Sequence, residues 1–220
     1  MRRIFVDLEM QPIYDRKIRP ICRCEIIEIG AVMLDESDVE IASFRQYVKP
    51  QYAKLTWRIK DLTGINENML AGADHFEATI EGFANWCMVY GEPIEVYAWS
   101  DSDLHQVTQE MKLKQHLPSS QLCSVMRAWV DFQKAFDDMT HAKESTSLEK
   151  ALLYSGVAFD GRKHDALTDA RNTARLYVET RDNDEYLERV RKIQESMQEE
   201  RRGTCIGDMI NLEKLKAAIA

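Results

Sequence analysis

Long apolar runs are missing from this chain of 220 residues. Nothing in it approaches the ~20 consecutive apolar residues that cross a bilayer, so no membrane partner is expected. A secretory leader is not expected: Arg2-Arg3 is followed only by Ile4-Phe5-Val6 before a charge, too short for a signal-peptide core. A cytoplasmic setting follows as the expectation. A basic excess is absent, since 29 Lys/Arg face 37 Asp/Glu for a net charge of −8, and this excludes a general nucleic-acid coating protein. Cysteine is sparse and unpatterned. Cys22, Cys24, Cys87, Cys123 and Cys205 are odd in number and scattered, which is neither a disulfide framework nor a zinc pattern. No internal repeat or low-complexity segment stands out.

What is present suits one domain with an appendage. Hydrophobic residues make up 45% of the chain, enough for a buried core. Three strand-like runs come first, Ile4–Met10, Glu25–Leu34 and Val39–Val48. The second is nearly all apolar, as in a strand covered on both faces. The third alternates less cleanly, as an edge strand does. Asp35-Glu36-Ser37-Asp38 reads as a turn, and three strands in series with short turns read as an antiparallel meander. Helices take over with residues 76–90, closed by Gly91. A short strand at Ile94–Trp99 leads into a helix opened by Asp101 or Asp103, and Trp129–Asp131 reads as a fifth strand. Thr146 to Glu149 has capping-box spacing ahead of a helix ended by Gly156, and Asp165 can cap the last core helix. The fold class is α/β, with the sheet in the first half. From 181 onward Tyr186, Leu187, Val190, Ile193 and Met197 form an apolar stripe on a charged helix. A break at Arg202-Gly203-Thr204 and a short helix at Asn211–Ile219 follow. The organisation is therefore 1–180 as the main domain and 181–220 as a C-terminal helical extension. That extension docks on its own domain or offers a surface for self- or partner-association.

The chemistry centres on carboxylates. Asp7 and Glu9 stand two apart on a strand, so their side chains leave the same face, while Val6, Leu8 and Met10 point into a core. Adjacent carboxylates repel unless a cation lies between them, and hard cations such as Mg²⁺ or Mn²⁺ prefer oxygen ligands. Trp99-Ser100-Asp101-Ser102-Asp103 sits at a strand-to-helix junction. His164 stands five residues ahead of Asp169 at a helix start. Taken singly, each motif is a common surface or capping pattern. Their occurrence in this order, each at a strand end or helix start, points to a metal-dependent phosphodiesterase.

In those motifs the chain resembles the DEDDh 3′→5′ exonucleases (RNase T and DNA polymerase III epsilon-like) of the RNase H-like superfamily. The matching stretches are Phe5-Val6-Asp7-Leu8-Glu9, then Trp99 to Asp103, then His164-Asp165-Ala166-Leu167-Thr168-Asp169-Ala170-Arg171-Asn172-Thr173-Ala174. Glu25 to Val32 resembles the family's second strand, Leu62-Thr63-Gly64-Ile65 its Leu-Thr-Gly-Ile turn, and Ser147 to Gly156 the helix before the third motif. The resemblance covers roughly residues 3–178 and is nearest to the branch of RNA-trimming histone-mRNA and small-RNA exonucleases and sporulation-inhibitor-type proteins. It implies a mixed five-stranded sheet flanked by helices and two Mg²⁺ or Mn²⁺ ions held by Asp7, Glu9, Asp103 and Asp169. It also implies His164 as general base, and release of nucleoside 5′-monophosphates from a single strand with a free 3′ end. RNA is favoured weakly over DNA. Asp101 stands near the second motif as well; family members with a Gly-Asp-aromatic-Asp version use the later aspartate, which selects Asp103.

Two departures bear on substrate. Met10 stands where the family often has threonine, beside the reacting strand. The segment after it, Gln11–Arg23, carries Arg16, Lys17, Arg19 and Arg23 against one acid, Asp15. Leaving the strand that bears Asp7 and Glu9, it is expected to contact phosphates near the site. A second reading makes the chain a nuclease-fold subunit or binding module in a larger complex, as proofreading subunits are. The presence of all five expected side chains argues against an inactive member.

Overall fold

Five strands, β1 (Arg2–Pro12), β2 (Cys24–Leu34), β3 (Glu40–Tyr47), β4 (Ile94–Ala98) and β5 (Trp129–Asp131), form one mixed sheet in the order β3-β2-β1-β4-β5. The computed structural model describes residues 1–192 apart from 92, 182, 183 and 189. β1, β2 and β3 are the antiparallel meander read from the sequence, and β4 and β5 add in parallel on the other side of β1. β3 lies at the edge with Ile41 exposed, whereas every residue of β2 from Glu25 to Leu34 is buried.

Helices cover both faces. Ile4, Val6 and Leu8 of β1 face α3 (Phe76–Cys87), α4 (Ser102–Lys114) and α5 (Ser120–Arg127), packing with Phe76, Ile80, Phe83, Val107 and Val125. Phe5 faces the other way. It packs with Val32 and Tyr97 against α6 (Phe132–Thr140), α7 (Leu148–Tyr154) and α8 (Ala166–Glu179). Period-two alternation therefore puts Asp7 and Glu9 on the side of Phe5, towards α8. The approach of α8 is close. A Cβ on Gly30, the β2 residue paired with Asp7, would lie 2.1 Å from the Leu167 nitrogen and 2.2 Å from the Ala166 carbonyl carbon. Only glycine lets the first turn of α8 rest there.

Strand ends shift by up to two residues from the sequence reading, and two helix boundaries differ. The 76–90 helix ends at Cys87, because Met88–Tyr90 turn back with the Gly91 N–H donating to the Met88 carbonyl at 2.9 Å. Thr146 is not the cap of α7. Ser147 is, accepting from the Lys150 N–H, while the Thr146 carbonyl takes the Trp99 indole N–H at 3.1 Å and the Gln133 amide at 2.7 Å. α1 (Trp57–Thr63) and α2 (Glu67–Ala71) make a small satellite around Ile27, Ile65 and Leu70. Beyond residue 180, Tyr186 and Val190 are buried in the core beneath α6 and α7, and the Tyr186 hydroxyl lies 2.7 Å from the Ser155 hydroxyl. Ile193, Met197, the break at 202–204 and the helix at 211–219 lie outside the described residues. None of the described helices is long and apolar enough to cross a membrane.

Candidate active site

The C-terminal half of β1, the start of α4 and the start of α8 meet in one cleft of about 470 Å³ lined by Asp7, Glu9, Met10, Asp103, His164 and Asp169. Each acid is fixed by its element. Asp7 and Glu9 share a face of β1, next to a register shift between Glu9 and Met10 that bends the strand end. Asp103 lies in the first turn of α4, directly after β4, and is only 5% exposed. Asp101 precedes it as an exposed helix cap without a side-chain capping bond. Asp169 lies in the first turn of α8, whose N-cap is Asp165, accepting from the Thr168 N–H at 3.0 Å. The choice of Asp103 over Asp101 and of Asp169 over Asp165 is thus the one that brings the carboxylates into a common cleft.

His164 sits in the left-handed region at φ +59, a conformation that costs a residue with a Cβ roughly 1–3 kcal/mol and collects at functional sites. Its backbone N–H donates to the Asp169 carboxylate at 3.0 Å, which couples the histidine to an acid of the same cleft. The loop is held from below as well. The Arg162 guanidinium donates to the Asp61 carbonyl at 3.0 Å and the Leu62 carbonyl at 3.3 Å at the end of α1. Gly64, at φ +77, leaves room for it: a Cβ there would lie 2.1 Å from an Arg162 nitrogen.

Electrostatically the cluster is under-compensated. Burial first, then Asp103, Asp169 and Glu9, hold the Asp7 carboxyl well above its usual range. Burial, Asp169 and Glu28 push Glu9 up to about 8. Burial and Asp101 push Asp103 up to about 7. Burial raises Asp169 to about 6 even though the His164 N–H pulls the other way. Among the described residues none of these four carboxylates is ion-paired to a Lys or Arg. Glu9, His164 and Asp169 each offer a ligand atom within 4.8 Å of the others; Asp7 and Asp103 are linked to each other by charge and stand beside that group. An oxygen-rich, charge-starved cleft is the chemistry of a divalent-cation site.

The pH consequence has a definite sign. Each carboxyl holds its proton more tightly folded than unfolded, so the metal-free native state carries extra protons from about pH 4 to pH 8. Metal-free stability therefore falls as pH rises through that window, and a cation that displaces those protons binds more tightly as pH rises. The rise in melting temperature on adding Mn²⁺ is expected to be larger at pH 8 than at pH 6. A thermal-shift series across pH checks this, and an equal shift at both values counts against a cation on these carboxyls.

Sequence reading missed Glu28. It lies opposite Glu9 across β1 and β2, fully buried, with Arg45 Nε 2.7 Å from its Oε1 and the Ala166 N–H 3.4 Å from its Oε2. Arg45 also reaches the Asp165 carboxylate at 2.6 Å, so the trio ties β2 and β3 to the cap of α8. The signal was a charge between Ile27 and Ile29 in a largely apolar strand whose other acid is Glu25. Also unforeseen were Leu148, Glu149, Phe159 and Lys163 on the opposite wall, where Lys163 Nζ lies 2.8 Å from Glu149 Oε1. Of the residues expected to touch substrate, Met10 lines the cleft, whereas Arg16, Lys17, Arg19 and Arg23 are exposed and lie outside its lining. A larger cavity of about 610 Å³ against α8 and the β2–β3 turn holds none of the expected site residues.

Comparison with known proteins agrees with this geometry. Residues 4–177 match the exonuclease (RNase_T) family. ERI1 exoribonuclease 2 of Xenopus laevis is 30% identical over 174 residues, which is 69% of this chain and 25% of that protein. The 3′-5′ exoribonuclease 1 of Rattus norvegicus is 27% identical over 159 residues, 70% of this chain and 46% of that protein. This chain thus spans between a quarter and a half of the length of these relatives. Among solved structures, the nuclease domain of 3′hExo, a DEDDh family member bound to rAMP, superposes with a TM-score of 0.70 at 23% identity, covering 83% of this chain and 92% of that one. A family match running from β1 almost to the end of α8 places this chain in the exonuclease (RNase_T) family.

Proposed function

We propose that this chain hydrolyses phosphodiester bonds from the 3′ end of single-stranded RNA and releases nucleoside 5′-monophosphates. The observation that carries the reading is the convergence of Asp7, Glu9, Asp103 and Asp169 with His164 in one cleft. RNA is chosen over DNA because the relatives named above are exoribonucleases. In this reading the four carboxylates hold two Mg²⁺ or Mn²⁺ ions, which when bound activate water and stabilise charge on the leaving oxygen. His164 accepts the proton of the attacking water, and its backbone N–H keeps Asp169 in register with it. Met10, Trp99, Leu148 and Phe159 supply apolar walls for the terminal nucleoside. Among the described residues, Lys163 is the single Lys or Arg of the cleft lining and is engaged by Glu149, so a substrate phosphate competes for it. The described cysteines are free thiols, which fits the cytoplasmic setting proposed here.

A labelled linear single strand incubated with Mn²⁺ and then with chelator tests the reading. RNA and DNA of one sequence, run side by side, test the sugar. Linear strands are expected to shorten one nucleotide at a time, and a circular strand of the same sequence to resist, since it has no 3′ end. Efficient cutting of circles removes the exonuclease reading and leaves a metal-dependent endonuclease.

A further inference from the structure

Residues 11–23 and 49–60 together hold eight Lys/Arg and one Asp/Glu, inside a chain of net charge −8. The fold sets these two segments side by side. The fully buried Glu25 carboxylate accepts the N–H groups of Gln51, Tyr52 and Ala53 at 2.7, 2.7 and 2.6 Å, and the Gln11 side-chain oxygen accepts the Thr56 N–H at 2.9 Å. Glu25 is held in turn by buried Lys114, whose Nζ is 3.2 Å away and which also pairs with Glu110. Residues 51–56 are therefore pinned to the strand ends between which the 13–23 loop emerges, and an Ile13 N–H to Arg23 carbonyl bond of 2.8 Å closes that loop's base.

On this backbone three aromatic side chains stand in solvent: Tyr14 is 69% exposed, Tyr52 44% and Trp57 78%. Trp57 opens α1, directly after its cap Thr56. Large rings held out of the core, among cations with almost no acid between them, fit one kind of ligand. Bases stack on such rings regardless of sequence, and the cations meet the phosphates. The position is apt. Met10 lines the catalytic cleft and Ile13 begins the loop three residues on, about 10 Å away at ~3.3 Å per strand residue.

We propose that this surface is a second binding site, which holds the single strand of nucleic acid leading into the cleft, with bases on the three rings and phosphates on the cations of the two segments. The direction of the strand rests on the nuclease reading; the binding itself does not.

Fluorescence anisotropy of a labelled single-stranded RNA dodecamer with the full chain in chelator reads binding without cleavage. Replacing Trp57 with Ala and Tyr52 with Ser is expected to weaken binding at least about tenfold, because the stacking of a base on each ring is removed outright. Replacing Lys54 and Arg58 with Ser, with Arg16, Lys17, Arg19 and Arg23 also changed to Ser, is expected to flatten the log–log salt dependence by about 0.7 for each phosphate no longer neutralised. A second readout is the ratio of kcat/KM on the dodecamer to that on a dinucleotide, which is expected to collapse in both variants. Unchanged affinity and salt slope overturn the proposal, as does a wild-type chain that fails to bind the dodecamer; the latter would point to an acidic protein partner. If the chain binds through these residues yet cleaves neither substrate, the catalytic reading fails and the surface stands. If it cleaves and the variants keep both affinity and length ratio, the surface fails and the catalytic reading stands.

Discussion

Alanine at Asp7, Glu9, Asp103 or Asp169 is expected to reduce cleavage by on the order of 10³-fold or more while the fold survives. Removing a single donor that stabilises transition-state charge costs about 10²–10³ in rate, and a missing ligand displaces the cation that serves both the attacking and the leaving oxygen. The fold should tolerate the change because none of these side chains is ion-paired to a Lys or Arg among the described residues, and only Asp169 gives up a described hydrogen bond, the one from the His164 N–H. Their carboxyls are raised by burial and by neighbouring acids, so deleting one relieves crowding of buried acid, and the metal-free melting temperature should hold or rise. Calorimetric titration with Mn²⁺ should lose heat in parallel with activity. Asp101→Ala is the control. It sits in the same motif but is exposed, with no capping bond to lose, so it should retain activity. The reverse pattern, an inactive Asp101→Ala beside an active Asp103→Ala, would reassign the second motif.

How much of this was legible in the chain depends on the range of the interaction involved. The nearly all-apolar β2 and the mixed β3 announced a covered central strand and an edge strand, because hairpin pairing and side-chain alternation are local. Even the three-residue β5 showed as a brief apolar piece. The cap of α7 slipped by one residue, since Thr146 and Ser147 are both good caps and only the Trp99 and Gln133 bonds to the Thr146 carbonyl decide between them. Those partners lie 47 and 13 residues away. The same holds for Glu25, whose worth as a clamp depends on Lys114 far along the chain. Within the site, the five candidate side chains that meet in the cleft were readable because each sits at a strand end or helix start with its own local signature. Glu28 was not singled out, as an acid in a largely apolar strand takes its meaning only from Glu9 across the ladder and Arg45 on the next strand. The four loop cations were noticed for their charge, but the turn that carries them outside the cleft lining has no sequence signature.

His164→Ala is expected to slow the chemical step by roughly 10²–10⁴-fold, the usual scale for a lost general base. Single-turnover measurement is the appropriate assay, since product release can mask a slowed chemical step. The variant separates two roles that the structure has fused. The backbone N–H of residue 164 donates to the Asp169 carboxylate, and alanine retains that group, so a ligand held in register should stay so. The side chain is what goes. If the imidazole is itself an essential metal ligand, as its place within 4.8 Å of Glu9 and Asp169 would allow, the Mn²⁺-induced thermal shift will drop together with the rate. If it acts as the base, the shift will persist while the rate falls. The pH profile adds an independent check. With cation bound, the carboxyls no longer carry the protons that burial and mutual repulsion leave on them, so they contribute little to the acid limb at saturating metal. A histidine base does contribute one, because imidazole must be neutral to accept a proton. Loss of that limb in His164→Ala, with metal binding intact, assigns the proton transfer to this side chain. A limb that survives the substitution moves the base role to another group, and the left-handed backbone at residue 164 would then serve only to aim its N–H at Asp169.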